Sequence, residues 1–494
     1  MDEYLSDALN EISDKHLEEA IHPRRKRKFP WFGAVAAVLA AVMLIHTFPA
    51  LIAMIPLHDP EPVRLTGSVQ PIRAAVLAQA AQPRIPARPN DPSSEGDAWS
   101  AYLEQLRQTE ASCKAANSQA LSFYKEASAL FLDSPEQENG VWSPVSAYMA
   151  LAMLAESTAD CSRQQVLDVL GVADIDALRK EVSAVWENFY EPLNGNESCI
   201  FANSLWLEDG VAYNRNTVDT LAHDYYADVY RGDLGSEEIN ADIQAWLNNK
   251  TGGLLSDAVK NASPDPRTDP LIALYSTVYF PTNWTEQFDE ADNTTRLFHG
   301  PNGPTLETFM NQTYGTLYWG DSYSAVRLWL RVGTDCGMWL ILPDEDKTVS
   351  DVLAEGQYLD MIAAYDLSNP EPSWENTRRC VVNLSVPKFD VSSQFDMVEG
   401  LQALGITDAF DPALADFSSS ITDRSAYVNQ ANHAARVVID EDGITAAAYT
   451  EITGALGFMP QDDMTEIDFI LDRPFLFVIA SEQAPLFVGV VNEP

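Results

Sequence analysis

The chain has 494 residues, of which 46% are hydrophobic, so it can hold a large core and two or three domains by length alone. Its 31 basic and 73 acidic residues give a net charge of −42. This balance argues against nucleic acid as a partner, because a phosphate backbone needs a cationic surface. The five cysteines are widely spaced and include no C-x-x-C pair, so we expect neither a disulfide framework nor a zinc or other metal site.

The N-terminal segment has the organisation of a membrane anchor. The basic cluster "RRKRK", Arg24 to Lys28, directly precedes an apolar run over residues 29–57 that is long enough to cross a bilayer. The basic cluster favours a cytoplasmic location for residues 1–28 and an extracellular one for the rest of the chain. A cleaved signal peptide is the rival interpretation. It is disfavoured because the leading segment is long and acidic and no small-residue cleavage site ends the apolar run.

Residues 58–114 contain many Pro, Ala, Gln and Arg residues and show no sustained periodicity before "WSAYLEQLRQ". This composition predicts an extended spacer between the membrane and the folded domain.

The folded part, residues 115–494, mixes helical and strand patterns. "SPVSAYMALAMLAE" predicts a helix capped by Ser143, and "IQAWLNNKTGG" predicts a helix that ends at glycine. "LIALYSTVYF", "GMWLILPD", "VVNLSVPKFDV" and "PFLFVIA" predict strands, several of them apolar on both faces and therefore covered on both sides. Because strands and helices do not alternate regularly, we expect a mixed α/β domain with several sheets.

A set of motifs in this region, taken in order, resembles the serpin family of serine protease inhibitors over essentially all of residues 115–494. The motifs are "SPVSAYMALAMLAE", "ANSLWLEDG", the Trp284 of "YFPTNWTEQF", "VPKF", "LGITDAFDPALADFS", "EDGITAAA" and "RPFLFVIASEQAPLFVGVVNEP". The resemblance implies one domain of three β-sheets with surrounding helices and an exposed reactive loop. It also implies a protease inhibitor and not an enzyme, and, with the anchor, a membrane-bound member of bacterial type.

In inhibitory members of that family, a protease cuts the loop and the hinge side of the loop inserts as a new strand of the main sheet. The resemblance assigns the hinge to Glu441, Asp442, Gly443, Ile444, Thr445, Ala446, Ala447 and Ala448. A strand alternates its side chains between two faces, and here one alternate set carries no charge. That set is Ile444, Ala446, Ala448, Thr450, Ile452 and Gly454. Proline is absent from Glu441 to Met459, so the loop is suited to insertion, and the uncut fold is expected to be metastable.

The resemblance also implies a polar shutter and a breach in the main sheet. The shutter residues are Ser143, Ser146, Ser276 and His433, and Trp284 marks the breach. Ser276 stands where the family usually has Asn, and its hydroxyl can still bond to imidazole. Without the resemblance, Ser143 would be interpreted as a helix cap and His433 as a core histidine. Ile444 is a second departure, because the hinge of the family commonly has Thr or Ser there.

Counting sixteen residues from Glu441 places the reactive bond at Gly457–Phe458, with Leu456–Gly457 and Phe458–Met459 as alternatives. No Lys or Arg occurs from Glu441 to Leu471, so a trypsin-like pocket has nothing to bind. We therefore expect extracellular elastase-, chymotrypsin- or subtilisin-like serine proteases as partners.

Two alternatives compete with an inhibitor. "SFYK" (Ser122 to Lys125) and "KTG" (from Lys250) fit the boxes of serine transpeptidases and β-lactamases, with Ser122 as the nucleophile. No S-D-N box lies suitably between them. The second alternative is a non-inhibitory serpin that acts as a binding protein. No basic cluster follows "STADCSRQQ", so we expect no heparin-type cofactor and no other cofactor. We expect a monomer.

Overall fold

The computed structural model describes residues 70–82, 96–134, 137–194, 197–253, 255, 264, 270–332, 336–365, 374–444, 464–481 and 484–494. The chain divides into two compact units, Met1–Asp59 with Pro89–Trp99, and Pro60–Arg88 with Ser100–Pro494. Apart from the first turn of the first helix, everything described below belongs to the second unit.

Nine α-helices lie within the described residues. They are α1 (Gly96–Leu132), α2 (Pro144–Ser157), α3 (Asp160–Leu170), α4 (Ile175–Phe189), α5 (Arg215–Asp224), α6 (Glu237–Lys250), α7 (Val349–Glu355), α8 (Gln357–Ala364) and α9 (Val398–Leu404).

The strands within the same ranges are listed here in chain order. They are β1 (Ala75–Ala78), β2 (Gly140–Trp142), β3 (Glu191–Asn194), β4 (Glu197–Glu208), β5 (Ala227–Gly232), β6 (Ile272–Tyr279), β7 (Thr282–Asn283), β8 (Thr294–Gly300), β9 (Gly303–Trp319), β10 (Tyr323–Trp329), β11 (Gly337–Pro343), β12 (Thr377–Pro387), β13 (Phe389–Asp396), β14 (Asn432–Ile439), β15 (Gly443–Ile444), β16 (Glu466–Ile470), β17 (Phe475–Ser481) and β18 (Ala484–Val491).

These strands form three sheets of five, nine and four strands, so the mixed α/β class and the three sheets are confirmed. In the five-stranded sheet, β4 pairs with β5, with β6 and with β3, and β1 forms the edge beside β5. The four-stranded sheet has the order β13-β14-β15-β7. Because β7 follows β6 after two residues and also contacts β4, these two sheets are halves of one layer, which we call the main sheet.

The nine-stranded sheet supplies much of the core. Its order is β16-β12-β9-β10-β11-β17-β18-β2, and β8 pairs with β9. Every residue of β11 and β18 is buried, as is all of β17 except Ser481, so the prediction of strands covered on both faces is confirmed there. In β6, by contrast, residues 272–276 are only half-buried. Apart from β4, no strand in the described ranges pairs with β6.

The two helices that the sequence marked most clearly are confirmed. The Ser143 hydroxyl accepts a hydrogen bond from the Ser146 amide at 3.2 Å, and Pro144 occupies the first position of α2. All but one residue of α2 is buried, so this helix runs through the core. At the end of α6, the Gly253 amide donates to the Asn248 carbonyl with a positive φ that glycine accepts readily.

Part of the segment predicted as a spacer, residues 58–114, carries regular structure. β1 pairs with β5, and α1 begins at Gly96, close to the point where helical periodicity starts in the sequence. The composition of residues 70–82 did not indicate a strand, because β1 depends on tertiary contacts with the domain. As for the membrane, the described helices include none with the length and apolar content to span a bilayer; the predicted anchor, residues 29–57, lies outside the described residues.

Candidate functional site

The predicted hinge begins as a tight turn at the end of β14. The Asp440 carboxylate accepts hydrogen bonds from the amides of Asp442 at 3.0 Å and Gly443 at 3.2 Å. The Asp440 amide donates to the Gly443 carbonyl at 3.1 Å. An aspartate that binds the next two or three amides is a common way to stabilise a turn. This turn sends β15 back along β14.

β15 lies between β14 and β7 in the four-stranded half of the main sheet. Ile444 pairs antiparallel with Ile439 of β14 on one side and with Thr282 of β7 on the other, and it is 2% exposed. Gly443 pairs with Asn283. A Cβ atom at Gly443 would lie 2.2 Å from the Thr282 carbonyl oxygen, so only glycine fits at this position.

Trp284, the predicted breach residue, binds the hinge turn through two hydrogen bonds. Its indole NH donates to the Asp440 carbonyl at 2.8 Å, and its amide donates to the Asp442 carbonyl at 3.0 Å. Trp284 is fully buried and packs edge-on against Phe288. The Phe288 amide donates to the Glu441 carbonyl at 3.1 Å. The breach residue therefore contacts the hinge directly.

Glu441 is held by two side chains that the sequence did not single out. Its carboxylate lies 2.5 Å from Lys388 Nζ and accepts a hydrogen bond from Asn293 Nδ2 at 2.5 Å. Burial would raise the pKa of Glu441, but these hydrogen bonds outweigh it and hold the pKa below its usual value. Lys388 is part of the motif "VPKF", and this motif is the sequence signal that could have identified it. Asn293 has no comparable signal in the sequence.

The four predicted shutter residues form two contacts that converge on the start of α2. The Ser143 amide donates to His433 Nε2 at 3.1 Å, and the Ser146 and Ser276 hydroxyls are 3.3 Å apart. His433 belongs to β14 and Ser276 to β6, so α2 links the two halves of the main sheet. In the described structure the Ser276 hydroxyl bonds to Ser146 and the imidazole accepts a backbone amide, an arrangement that the sequence did not specify.

His433 is a neutral hydrogen-bond acceptor. It is 6% exposed and packs against Trp142 and Phe395. Desolvation lowers the pKa of His433 to about 4. Because Nε2 accepts from the Ser143 amide, the proton of the neutral ring resides on Nδ1. Protonation of Nε2 would break the contact with α2.

A cavity of about 120 Å³ lies between β6 and β14. Its floor includes Ala147 and Leu151 of α2, and its walls are β6 and residues 429–434. Within the described residues, no ladder of hydrogen bonds joins β6 to β14. The cavity thus separates the two halves of the main sheet along residues 272–277 of β6.

The three-sheet fold is the arrangement that the family resemblance implies. The family model described as "Serpin (serine protease inhibitor)" matches residues 114–494. The chain belongs to the serpin family. The family model describes protease inhibitors rather than enzymes, and this serpin is not an enzyme.

Individual serpins share a low sequence identity with this chain, but the similarity covers most of its length. Serpin-ZX of Arabidopsis thaliana is 27% identical over 380 residues, which cover 73% of this chain and 93% of that protein. Plasminogen activator inhibitor 1 of Bos taurus is 26% identical over 373 residues, covering 73% and 88%. The crystal structure of a thermophilic serpin, tengpin, in the native state aligns with a TM-score of 0.67 at 24% identity, covering 86% of this chain and all of tengpin.

The enzyme alternative is wrong. Ser122 and Lys125 lie on α1, where Ser122 donates to Glu126 at 2.9 Å and Lys125 pairs with Asp360. Lys250 ends α6 and lies 3.2 Å from Asp228. Each of these three side chains already has a partner of its own on the surface of the serpin domain.

Several predicted site residues of this serpin lie outside the described residues. They are Thr445, Ala446, Ala447 and Ala448 of the hinge and Leu456, Gly457, Phe458 and Met459 around the expected reactive bond.

Proposed function

We propose that this serpin inhibits serine proteases by suicide-substrate trapping. In this mechanism the target cuts the loop, remains attached as an acyl-enzyme, and is displaced as the loop inserts between β14 and β6. The observation that carries the proposal is the position of β15. Its two residues already occupy strand positions between β14 and β7. A longer strand in the same register would reach His433, which lines the cavity between β6 and β14.

The register of β15 supports insertion of the uncharged set of loop residues. Continuing the pairing of Ile444 with Ile439 along β14 would bring Thr450 opposite His433. Every second residue of β14 is buried: His433, Ala435, Val437 and Ile439. A loop in this register would turn its uncharged side chains to the same buried side, and Glu451 would face the other way.

The energy of insertion is large enough to drive the trap. About ten new ladder hydrogen bonds at roughly 1 kcal/mol each give about 10 kcal/mol, comparable with the whole stability of a typical domain. A strand rises about 3.3 Å per residue, so insertion of about fifteen residues would carry an attached protease on the order of 50 Å. Such a displacement can distort the protease before water hydrolyses the ester.

The targets follow from the loop sequence. Leu456, Gly457, Phe458 and Met459 suit small or apolar primary pockets, so elastase-, chymotrypsin- and subtilisin-like proteases are the proposed partners. The name of one relative, plasminogen activator inhibitor 1, is that of an inhibitor. The seating of Ile444 in a buried strand position also supports insertion despite the bulk of this side chain.

The location of the serpin domain is proposed from the sequence. Residues 29–57 would anchor the protein in the cell membrane as a single helix, with residues 1–28 in the cytoplasm and the serpin domain outside, as a monomer of bacterial type. The reactive loop would then lie at the cell surface, where foreign or secreted proteases arrive.

Incubation of the full-length protein with elastase, chymotrypsin, subtilisin and trypsin tests the proposal on a denaturing gel. We expect a covalent complex with at least one of the first three and none with trypsin. Ala446→Arg should convert the inhibitor to a substrate, because it places a charge on the buried side of the inserted strand. Ala447→Arg is the matched control on the exposed side and should still form complex. Cleavage without complex in the wild type would favour a non-inhibitory serpin.

A further inference from the structure

Residues 70–82 pass along the edge of β5, ahead of residues 114–494 that the serpin family model covers. We call these residues the N-terminal strap. Within the strap, β1 pairs antiparallel with β5, Val76 opposite Tyr230 and Ala78 opposite Val229, with a register shift between Val76 and Ala78. The strap therefore extends the main sheet by one strand on the side away from the loop hinge.

The first half of the strap binds α6. The Asp242 side chain of α6 is buried, and one of its carboxylate oxygens accepts the amides of Arg73 at 2.8 Å and Ala74 at 2.7 Å. Asn249, also on α6, exchanges two hydrogen bonds of 2.9 Å with the main chain of Gln70. A buried carboxylate needs such donors, so Asp242 and the strap satisfy each other.

The second half of the strap binds β5 and α5. The Asp228 carboxylate of β5 accepts the Ala80 amide at 3.1 Å and also bonds to Trp246 and Lys250 of α6. The Ala81 amide donates to the Ala222 carbonyl of α5 at 2.8 Å. One short segment is therefore tied to α6, β5 and α5 together.

The strap also connects two separate apolar clusters. Ile72 and Ala74 pack against the cluster that α6 forms over the main sheet with Trp206 and Tyr230. Leu77, Ala78 and Ala81 pack against the principal core of the domain. The strap thus crosses from the α6 cluster to the core at the edge of the sheet.

This connection can restrain loop insertion, because α6 packs on the half of the main sheet that must move when the loop inserts. Insertion between β6 and β14 separates the halves, and β6 carries β4 and β5 with it through their hydrogen bonds. α6 packs on the same half through Ala273 and Tyr275 of β6. Any displacement of this half relative to α5 would strain the contacts of the strap.

We propose that the N-terminal strap holds α6 and α5 together at the edge of the main sheet and thereby slows the opening of the gap between β6 and β14. The regulatory value of this restraint rests on the proposed inhibitory function, because it would keep the uncut loop from inserting early. The restraint itself is a property of the fold and can be measured without a protease.

The test uses three full-length variants that each place an aspartate in the strap. Ile72→Asp and Leu77→Asp disrupt its two apolar contacts, and Val76→Asp is the matched control, because Val76 is 53% exposed. A fluorescent peptide with the sequence of residues 444–454 reports the opening of the gap by its rate of binding. The rate of hydrogen exchange at the amides of α6 reports how strongly the N-terminal strap restrains that helix.

We expect at least tenfold faster peptide binding and faster exchange in α6 for Ile72→Asp and Leu77→Asp, with Val76→Asp close to the wild type. Asp242→Ala, which removes the acceptor from α6, should have the same effect. Equal peptide-binding rates in all variants would overturn the proposal. Faster binding in a protein that traps no protease would uphold the strap while refuting the inhibitory function.

Discussion

Glu441 and Lys388 form an ion pair of 2.5 Å at the point where the hinge leaves β14. Lys388 lies between β12 and β13, so the pair joins the edge of the main sheet to the turn that precedes β15. The Glu441 side chain is 10% exposed and that of Lys388 is 39% exposed, so solvent screens the pair only in part. This pair therefore fixes the starting position of the loop.

Glu441→Gln should destabilise the intact protein by about 1 kcal/mol, because the amide keeps a bond to Asn293 but loses the ion pair with Lys388. Urea unfolding of this variant, of Lys388→Met and of the double variant would give the coupling energy. Asp390→Asn breaks a nearby exposed pair with Arg436 and should change stability by less than about 0.5 kcal/mol.

The pH dependence of the Glu441 contribution has a defined direction. Since the pKa of Glu441 in the folded state lies below its ordinary value of 4.5, the stabilisation is complete above that value. It is lost as the pH falls through the lower folded-state pKa. A coupling energy that persisted unchanged at pH 2 would contradict this account.

His433 should make the stability of the intact protein depend on pH, over a higher pH range than Glu441 does. Its folded-state pKa is about 4 against an ordinary 6.5, so the unfolded chain binds the extra proton between these values. Stability should be constant above about pH 7 and fall below pH 6.5 by up to about 1.4 kcal/mol per pH unit. His433→Gln should flatten this slope between pH 5 and 6.5. His299→Gln, at an exposed position, is the matched control variant.

Trp284→Phe should destabilise the hinge turn, because the Asp440 carbonyl loses its indole donor inside the protein. The expected cost is about 1–3 kcal/mol in the free energy of unfolding. Trp329→Phe is the control, since Trp329 is 39% exposed and should tolerate the change better. If both variants unfold at the same denaturant concentration, the indole bond does not support the turn.

Gly443→Ala should expel β15 from the sheet, because the added Cβ would meet the main-chain oxygen of Thr282 and cannot rotate away. We expect faster hydrogen exchange for the amides of residues 282–283 and 443–444, with the core strands β17 and β18 unaffected. Unchanged protection at the hinge would mean that glycine is not required for β15 to pair.

The sequence allowed prediction of elements whose signals are local. The cap at Ser143, the glycines after Lys250 and the apolar strands β11 and β17 each depend on a few neighbouring residues. The order of the motifs then assigned Trp284 to the breach and His433 to the shutter through the family resemblance. These features could be predicted because each is written in a short stretch of chain.

Features that depend on distant contacts could not be predicted in this way. The bonds of Glu441 to Asn293 and Lys388 join residues 148 and 53 positions away, and nothing in the local pattern pairs them. The sequence of β1 has the composition of a spacer. Its strand conformation could not be predicted because it depends on Asp242 and β5, far along the chain. The entry of Ile444 into the sheet likewise depends on the separation of β6 from β14.

Thermal unfolding of the intact and the loop-cleaved protein shows whether the freed loop inserts into the main sheet. The cut, made with an elastase- or subtilisin-like protease and located by mass spectrometry, should fall between Leu456 and Met459. If the freed loop pairs with β14 and β6, a gain of about 10 kcal/mol should raise the melting temperature by at least about 10 °C. A cleaved protein that melts at or below the temperature of the intact one would show that the loop does not insert.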